Sequence, residues 1–337
     1  MNIEILDCTL RDGGYVNDWQ FNDHISSDIL EGLSTANIDI IEAGYFAKST
    51  DNVYGTIFSD LNKFSHLQID HEKLAAMIDV AAVTLEDIPK YNGKGIRKLR
   101  VVFYKRQVDQ AIIIIRELVE KGYEVFVQPM VTIDYSTEEL LELVTKIEAN
   151  VAAYSIVDSF GNMTQEKIFS LFDSLAEMLK PEVKIGFHSH NNKNSSLLMA
   201  SSLINHCLNH NVPRTIIIDS SLNGMGRGAG NLETEVICDY VNSLTKSEKY
   251  DVKKLSSTAI QCISPFKEKY VWGYDTFYFL TANLGFHPNY VKFIKQVDPL
   301  ISPNVYISFL ESLDDGYKTL CRLETVRELY KEFLKKF

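Results

Sequence analysis

Eight short apolar runs, rich in β-branched residues, recur along the first three quarters of the chain, and they constrain its fold more than any other feature. They are Ile3–Cys8, Ile38–Ala43, Leu74–Val80, Leu99–Tyr104, Val125–Val131, Val151–Val157, Val183–His190 and Thr215–Ser220. Several are hydrophobic almost without interruption, the pattern of strands buried on both faces. Stretches of helical character lie between them. Ala111–Lys121 carries an apolar run that stops at Gly122. Ser136-Thr137-Glu138-Glu139 opens the next with a capping-type start, and Thr164–Lys180 and Asn192–Asn209 follow the same plan. Eight βα units in about 245 residues are the number and length of an α/β fold of the (β/α)8 TIM-barrel class. A doubly wound sheet fits less well.

The character changes near Lys246. From Tyr250 onward no strand-like run recurs, aromatic residues crowd together (YVWGYDTFYFLTANLGF), and Pro265, Pro288 and Pro303 punctuate the chain. Thr325–Phe337 reads as a charged amphipathic helix. The expected organisation is a barrel over residues 1–246 and a C-terminal helical appendage over 247–337.

Composition removes several classes of function. Lys and Arg number 34 against 45 Asp and Glu, a net charge of −11, so no basic field draws in a nucleic acid. The longest apolar stretch, Ala111–Ile115, is far short of the roughly 20 residues of a membrane span. The opening MNIEILDCTL reads as a strand and lacks the regions of a signal peptide. Five scattered cysteines, none in CxxC spacing, suit a reducing cytoplasm and give neither a disulfide framework nor a cysteine zinc site.

Catalytic groups of such barrels lie at the C-terminal ends of the strands, and three segments stand out there. Arg11-Asp12-Gly13-Gly14 follows the first run, an acid and a base beside a tight turn. By itself this equally describes an ion-paired surface loop. His188-Ser189-His190 ends the seventh run; residues i and i+2 of a strand face one way, so both imidazoles aim together, as metal ligands or as a hydrogen-bonded polar pair. Asn223-Gly224-Met225-Gly226-Arg227-Gly228-Ala229-Gly230-Asn231 follows the eighth run. It contains G-x-G-x-x-A, but it sits after the last strand, and no acid-ended strand follows about 20 residues on, so a dinucleotide site is excluded. In a closed barrel the first, eighth and seventh strands are neighbours, so the three segments meet. Asp12, His188 and His190 then leave open positions on an octahedral ion, with Mn²⁺, Co²⁺ or Zn²⁺ favoured by affinity and Mg²⁺ by abundance.

Asp7-Cys8-Thr9-Leu10-Arg11-Asp12-Gly13, His188-Ser189-His190-Asn191 and Gly224–Asn231 resemble, in this order, the motifs of the DRE-TIM metallolyase superfamily. That group includes 4-hydroxy-2-oxovalerate aldolase, HMG-CoA lyase and the isopropylmalate, homocitrate and citramalate synthases. Ile41-Glu42-Ala43-Gly44 and Asp158-Ser159-Phe160-Gly161-Asn162-Met163-Thr164 are further matches. The resemblance implies a divalent metal, Mn²⁺ or Mg²⁺, on Asp12, His188 and His190 with Asn231 as a further ligand. It implies that Arg11 bonds the developing enolate oxygen and that Glu42 lies against substrate.

The glycine-rich loop is most similar to the aldolase branch. Arg227 stands where the synthases carry glutamate, and Gly228 where the lyases carry a catalytic cysteine. Gly273-Tyr274-Asp275-Thr276-Phe277-Tyr278 resembles an aldolase stretch in which a tyrosine reaches the active site, implying Tyr274 in catalysis and Tyr278 in substrate binding; aromatic core is the other reading. The aldolases' general-base histidine aligns with Tyr15. A phenol ionises near about 10 and is a poor base at neutral pH unless perturbed. The base is therefore Tyr15, a histidine such as His24 or His287, or a hydroxide on the metal.

The expected activity is a class II aldolase that cleaves or forms a 4-hydroxy-2-oxo acid through a pyruvate enolate, with an aldehyde as second substrate. An acyl-CoA-using lyase or Claisen-type synthase, and an inactive barrel serving as a binding module, are the alternatives. A homodimer and an aldehyde dehydrogenase partner are the expected associations.

Overall fold

The computed structural model describes residues 2–48, 55–147, 150–319 and 321–336. Nine parallel strands run in chain order: β1 (Asn2–Asp7), β2 (Ile40–Phe46), β3 (Ile57–Phe58), β4 (Leu74–Asp79), β5 (Lys98–Phe103), β6 (Glu124–Pro129), β7 (Ala153–Asp158), β8 (Lys184–Ser189) and β9 (Thr215–Ser220). All except β3 close into the expected eight-stranded barrel, β1 pairing with both β9 and β2. The two-residue β3 extends β2 at the rim, Tyr45 opposite Ile57.

The second strand starts later than its hydrophobicity predicts. Ladder pairing with β1 begins at Leu6 opposite Ile40. One step before it, the Asp39 carboxylate accepts the Ile5 N–H at 2.8 Å, so a side chain stands in for the backbone. The strand then runs on to Phe46 through a register shift between Glu42 and Tyr45. Gly44 sits in that shift at φ 143°, and a Cβ there would lie 1.9 Å from the Thr56 carbonyl oxygen. Only glycine allows that approach.

Short α1 (Gly14–Asn17) follows the first loop, and α2 (Asp23–Thr35) leads into β2. The later crossovers hold α3 (Val108–Glu120), α4 (Thr137–Ile147), α5 (Gln165–Met178), α6 (Ser196–Asn209) and α7 (Thr234–Thr245). The capping signal at Ser136 is real: its N–H donates to Glu139 Oε2 at 2.8 Å, and its hydroxyl accepts the Glu139 N–H at 3.2 Å. Among the described residues, the connections from β2 to β4 and from β4 to β5 carry no α-helix, only β3 and single 3₁₀ turns.

Alternation divides the barrel residues into two sets. Outward side chains such as Ile5, Ile41, Ile78, Val101, Val127, Ile156, Phe187 and Ile218 join the helices in the main core. Inward, Leu6, Cys8, Ile40, Ala75, Phe126, Ala153 and Ile217 form a separate apolar plug. Two residues further along several strands the inward positions turn polar: Glu42, Gln128, Ser155 and Asp219, all buried. The floor is thus closed by hydrocarbon, and the mouth carries the chemistry.

The C-terminal region is divided between two cores. Helix α8 (Val252–Thr258) and the turns after it contribute Leu255, Ala259, Ile263 and Trp272 to the barrel core. A second core, centred on Phe286, Tyr290, Ile294, Tyr306, Phe309 and Tyr330, is enclosed by α9 (Thr276–Asn283), α10 (Asn289–Val297), α11 (Pro303–Glu311) and α12 (Leu323–Leu334). The tail helix expected at Thr325–Phe337 is α12; Phe337 lies outside the described residues. The five cysteines are free. No helix among the described residues is long and apolar enough to cross a membrane.

Asp7 fastens the barrel where it closes. Its carboxylate accepts the Thr9 N–H at 2.9 Å and the hydroxyl of Thr234, at the start of α7, at 2.6 Å. Burial raises Asp7 to about 6, although both hydrogen bonds oppose the rise. A carboxyl raised in the folded state holds its proton longer there than in the unfolded chain. Between about pH 4 and 6 the native protein therefore loses stability as pH rises, and above 6 the loss is complete. Asp7→Asn, which cannot ionise, is expected to gain about 3 kcal/mol on the parent across that window. Urea midpoints of both proteins from pH 4 to 8 check this; parallel profiles would exclude an ionisation penalty at Asp7.

Candidate active site

The first loop turns at once after β1, with the Asp12 N–H donating to the Cys8 carbonyl at 2.7 Å. That turn points Arg11 and Asp12 across the barrel mouth. Arg11 Nη1 donates to Asp12 Oδ1 and its Nε to Glu42 Oε2, each at 2.7 Å. All three residues are buried, so the segment is no surface ion pair. Burial alone would push the Arg11 guanidinium down, but Glu42 and Asp12 hold it well above its ordinary value, and its charge is permanent.

His188 and His190 share one face at the end of β8, ring centroids 5.1 Å apart and planes nearly perpendicular at 89°. Ligand atoms from Asp12, His188 and His190 all lie within 4.8 Å of one another. His188 Nδ1 sits 3.0 Å from Asp219 Oδ2. Burial would raise Asp219, but Arg100 and His188 hold it below its ordinary value, so its carboxylate accepts there and Nδ1 is the donor, which leaves Nε2 as the nitrogen turned toward the ligand set. Burial pushes His190 down to about 3, keeping it neutral, and its Nδ1 is buried without a hydrogen-bond partner. Burial would raise Asp12, but Arg11, His190, His188 and Arg227 outweigh it and hold the carboxyl well below the usual range.

The glycine-rich loop completes the group. Asn231 Nδ2 donates to Asp12 Oδ2 at 2.7 Å, and Asn231 Oδ1 is buried with no partner. Gly226 lies against this pair: a Cβ there would come within 2.3 Å of Asn231 Nδ2 and 2.9 Å of Asp12 Oδ2. One carboxylate, two imidazoles and an amide oxygen, with His190 Nδ1 and Asn231 Oδ1 buried without partners, fit a divalent cation.

Beneath these groups runs a buried chain of charges that sequence reasoning missed. Arg100 Nη1 donates to Glu42 Oε2 at 2.9 Å, and its Nη2 is ion-paired with Asp219. Gln128, its oxygen turned to the guanidinium, accepts from Arg100 Nη2 at 2.9 Å. Arg11, Glu42, Arg100, Asp219 and His188 are thus linked in series across the barrel. The available signal was a charge at an inward position of an otherwise apolar strand, Arg100 in β5 and Asp219 in β9.

Arg11, Asp12, Tyr15, Tyr45, His188, His190 and Arg227 line an inner cleft whose other wall is mostly apolar, from Met77, Val102, Met130 and Val157, with Gln128 and Ser159 among them. Tyr15 reaches it, its hydroxyl 3.0 Å from that of Tyr45. An outer cavity of about 580 Å³ adjoins, and Tyr15 and Arg227 border both. Tyr278 lines the outer cavity, whereas Tyr274 is 60 % exposed and borders neither. The alternative bases differ sharply. His24 is a surface residue paired with Asp28 at 3.2 Å. His287 is buried, lowered well below its ordinary value by burial, and its Nδ1 accepts the Asn289 N–H at 3.1 Å. Its proton therefore sits on Nε2, which makes it a donor, not a base.

Residues 2–261 match the HMGL-like family. The 4-hydroxy-2-oxovalerate aldolase 4 of Rhodococcus opacus is 26 % identical over 280 residues, covering 79 % of this chain and 76 % of that protein. The N-terminal domain of a candidate aldolase from Bacteroides vulgatus superposes with a TM-score of 0.73 at 26 % identity, covering 87 % of this chain and 96 % of that one. The HMG-CoA lyase of Brucella melitensis shares the fold, with a TM-score of 0.58 at 12 % identity over 77 % of this chain and 96 % of its own. The chain belongs to the HMGL-like family and is a carbon–carbon lyase.

Proposed function

We propose that the protein is a divalent-metal-dependent aldolase that cleaves or forms a 4-hydroxy-2-oxo acid, with pyruvate as the enolate partner. The observation that carries this reading is Arg11, a permanently charged and buried guanidinium, held beside the Asp12, His188 and His190 ligand set at the barrel mouth. The names of relatives at about a quarter identity, 4-hydroxy-2-oxovalerate aldolases, support it.

Asp12, His188 and His190 would hold the metal, with Asn231 adjacent. When bound, the metal supplies Lewis-acid stabilisation of the negative charge that appears on the 2-oxo oxygen as the carbon–carbon bond breaks. Arg11 donates to that same oxygen and is pre-oriented by Glu42, so no reorganisation is needed as charge develops. Asp219 fixes the His188 tautomer, and Arg100 fixes Asp219. The apolar wall keeps water from the enolate, which would otherwise be quenched by adventitious protonation. Tyr15 is the proton carrier we assign, since its hydroxyl reaches the cleft. A lyase mechanism using a loop thiol finds no thiol: Gly228 occupies that position, and Cys8 is buried with its Sγ donating to the Ser220 carbonyl at 3.1 Å.

The test is exchange of the pyruvate methyl hydrogens in D₂O, followed by NMR with Mn²⁺, with Mg²⁺ and with chelator. Metal-dependent exchange is expected, and needs no knowledge of the aldehyde. A protein that takes up metal yet exchanges nothing would exclude pyruvate as donor.

A further inference from the structure

Arg227 stands apart from the other cations of the cleft. Arg11 is matched by Asp12 and Glu42, and Arg100 by Glu42 and Asp219. Among the described residues no carboxylate comes within ion-pair distance of Arg227, and its Nε is buried without a hydrogen-bond partner. Its guanidinium lies over the Tyr15 ring, 5.0 Å from the centroid. Asp12, which Arg227 helps to hold ionised, lies beyond ion-pair distance, and a half-buried guanidinium with no carboxylate in contact leaves its donors free for an anion from outside.

The loop presents that side chain rigidly. The Ala229 N–H donates to Asn192 Oδ1 at 2.9 Å, the Gly230 N–H to the Arg227 carbonyl at 3.1 Å, and Trp272 Nε1 to the Asn223 carbonyl at 3.0 Å. Gly228, at φ 69°, packs so closely that a Cβ would fall 2.5 Å from Asn192 Oδ1. The guanidinium is therefore held where the inner cleft opens into the outer cavity. Lys292 and Lys295 line that cavity, with Asp18 and Asp275 as its carboxylates. Asp275 is engaged, since its Oδ1 accepts the Phe277 N–H at 2.7 Å and its Oδ2 lies 3.4 Å from Lys295.

We infer that Arg227 is a specificity residue for a second substrate that bears an anionic group, so that the acceptor is a carboxylate- or phosphate-bearing aldehyde rather than a simple alkyl aldehyde. This rests on the aldolase reading above. The apolar plug closes the barrel floor, so both substrates enter from the mouth. The donor takes the inner position beside Arg11 and the ligand set, and the acceptor lies outside it, under Arg227. In the synthetic direction, donor C3 gives up a proton and bonds to the aldehyde carbon, whose oxygen then takes a proton. No oxidant or reductant is needed. The anionic group stays intact through the reaction, so a fixed guanidinium can hold it throughout.

The experiment compares succinate semialdehyde, glyceraldehyde 3-phosphate and butanal as acceptors with pyruvate, for the parent, Arg227→Gln and Arg227→Lys. The parent should prefer at least one anionic aldehyde over butanal, and the better of the two identifies the anion. Arg227→Gln should lower kcat/KM for it at least about 20-fold more than for butanal, mainly through KM, whatever loss the two acceptors share. Arg227→Lys should recover part of the loss for the anionic aldehyde and leave butanal where Arg227→Gln left it, whereas a role limited to packing on Tyr15 would move both acceptors together. A parent that prefers butanal, or a glutamine variant that loses all acceptors and pyruvate exchange equally, overturns the inference. A second readout needs neither metal nor turnover: quenching of Trp19, whose ring lies 4.6 Å from Tyr15, by 4-hydroxybutyrate but not by butane-1,4-diol, abolished in Arg227→Gln. Absence of pyruvate exchange in the parent would sink the donor assignment alone, and the quenching would still decide the anion site.

Discussion

Chelator-treated protein is expected to take up one Mn²⁺ per chain, and His190→Ala to lose that binding together with more than about 10³-fold of its turnover. Three ligand atoms lie within 4.8 Å of one another, on a carboxyl held well below its usual range and on two imidazoles, of which His190 is kept neutral by burial. Deleting His190 leaves Asp12 and His188 as the remaining pair, and with Arg11 and Asn231 already bonded to Asp12 two ligands hold an ion far more weakly than three. Asp219→Asn provides the graded comparison. It touches no position of the ion and keeps an oxygen near His188 Nδ1, but it weakens the bond that orients the ring and removes the charge opposite Arg100. Its metal affinity should fall by about 10- to 100-fold, the usual effect of altering a histidine's outer partner. Calorimetric titration with Mn²⁺ checks both. Stoichiometric tight binding by His190→Ala, or none by the parent, would remove the metal from the site.

How far the sequence reveals this depends on the range of each interaction. The eight barrel strands are legible because both of their faces are buried, which writes each as a continuous apolar run. The start of β2 is not, because Asp39 replaces a backbone acceptor and nothing local marks the exchange. The clustering of Arg11, Asp12, His188, His190 and Asn231 is legible from two facts: strand alternation aims the imidazoles together, and closure makes the first, eighth and seventh strands of the barrel neighbours. The Glu42–Arg100–Asp219 chain is not, because its members lie 58 and 119 residues apart and meet only across the interior. The same limit separates Tyr274 from Tyr278. Both sit in one aromatic stretch, but Tyr274 precedes the Asp275 cap of α9, so no helical period sets its direction, and it faces solvent. Among the described residues, the absence of α-helices between β2 and β5 has a local cause in part: Gly93, Gly95 and Pro89 interrupt the second of these connections.

Arg11→Lys is expected to keep the metal and lose about 10²–10³ in kcat, with a smaller change in KM. On the proposed reading Arg11 would perform two tasks with one planar group. Nε and Nη1 are committed to Glu42 and Asp12, and Nη2 is the nitrogen that would serve the oxygen where charge develops. A lysine ammonium keeps the charge and can satisfy one carboxylate, but it has no rigid fork that serves two carboxylates and a third acceptor together. Because the charge remains, Asp12 stays ionised and the ligand set stays intact, which makes the effect one on the rate step and not on metal loading. Glu42 adds a second consequence. Its Oε1 is already buried without a partner, and with Arg11 shortened Oε2 would rely on Arg100 alone, so the lysine variant should also unfold at lower denaturant. The two effects separate experimentally, since pyruvate exchange measured on metal-saturated, fully folded protein reports only the first. An exchange rate within a few-fold of the parent under those conditions would show that Arg11 serves the framework through Glu42 and Asp12 and has no part in stabilising the enolate.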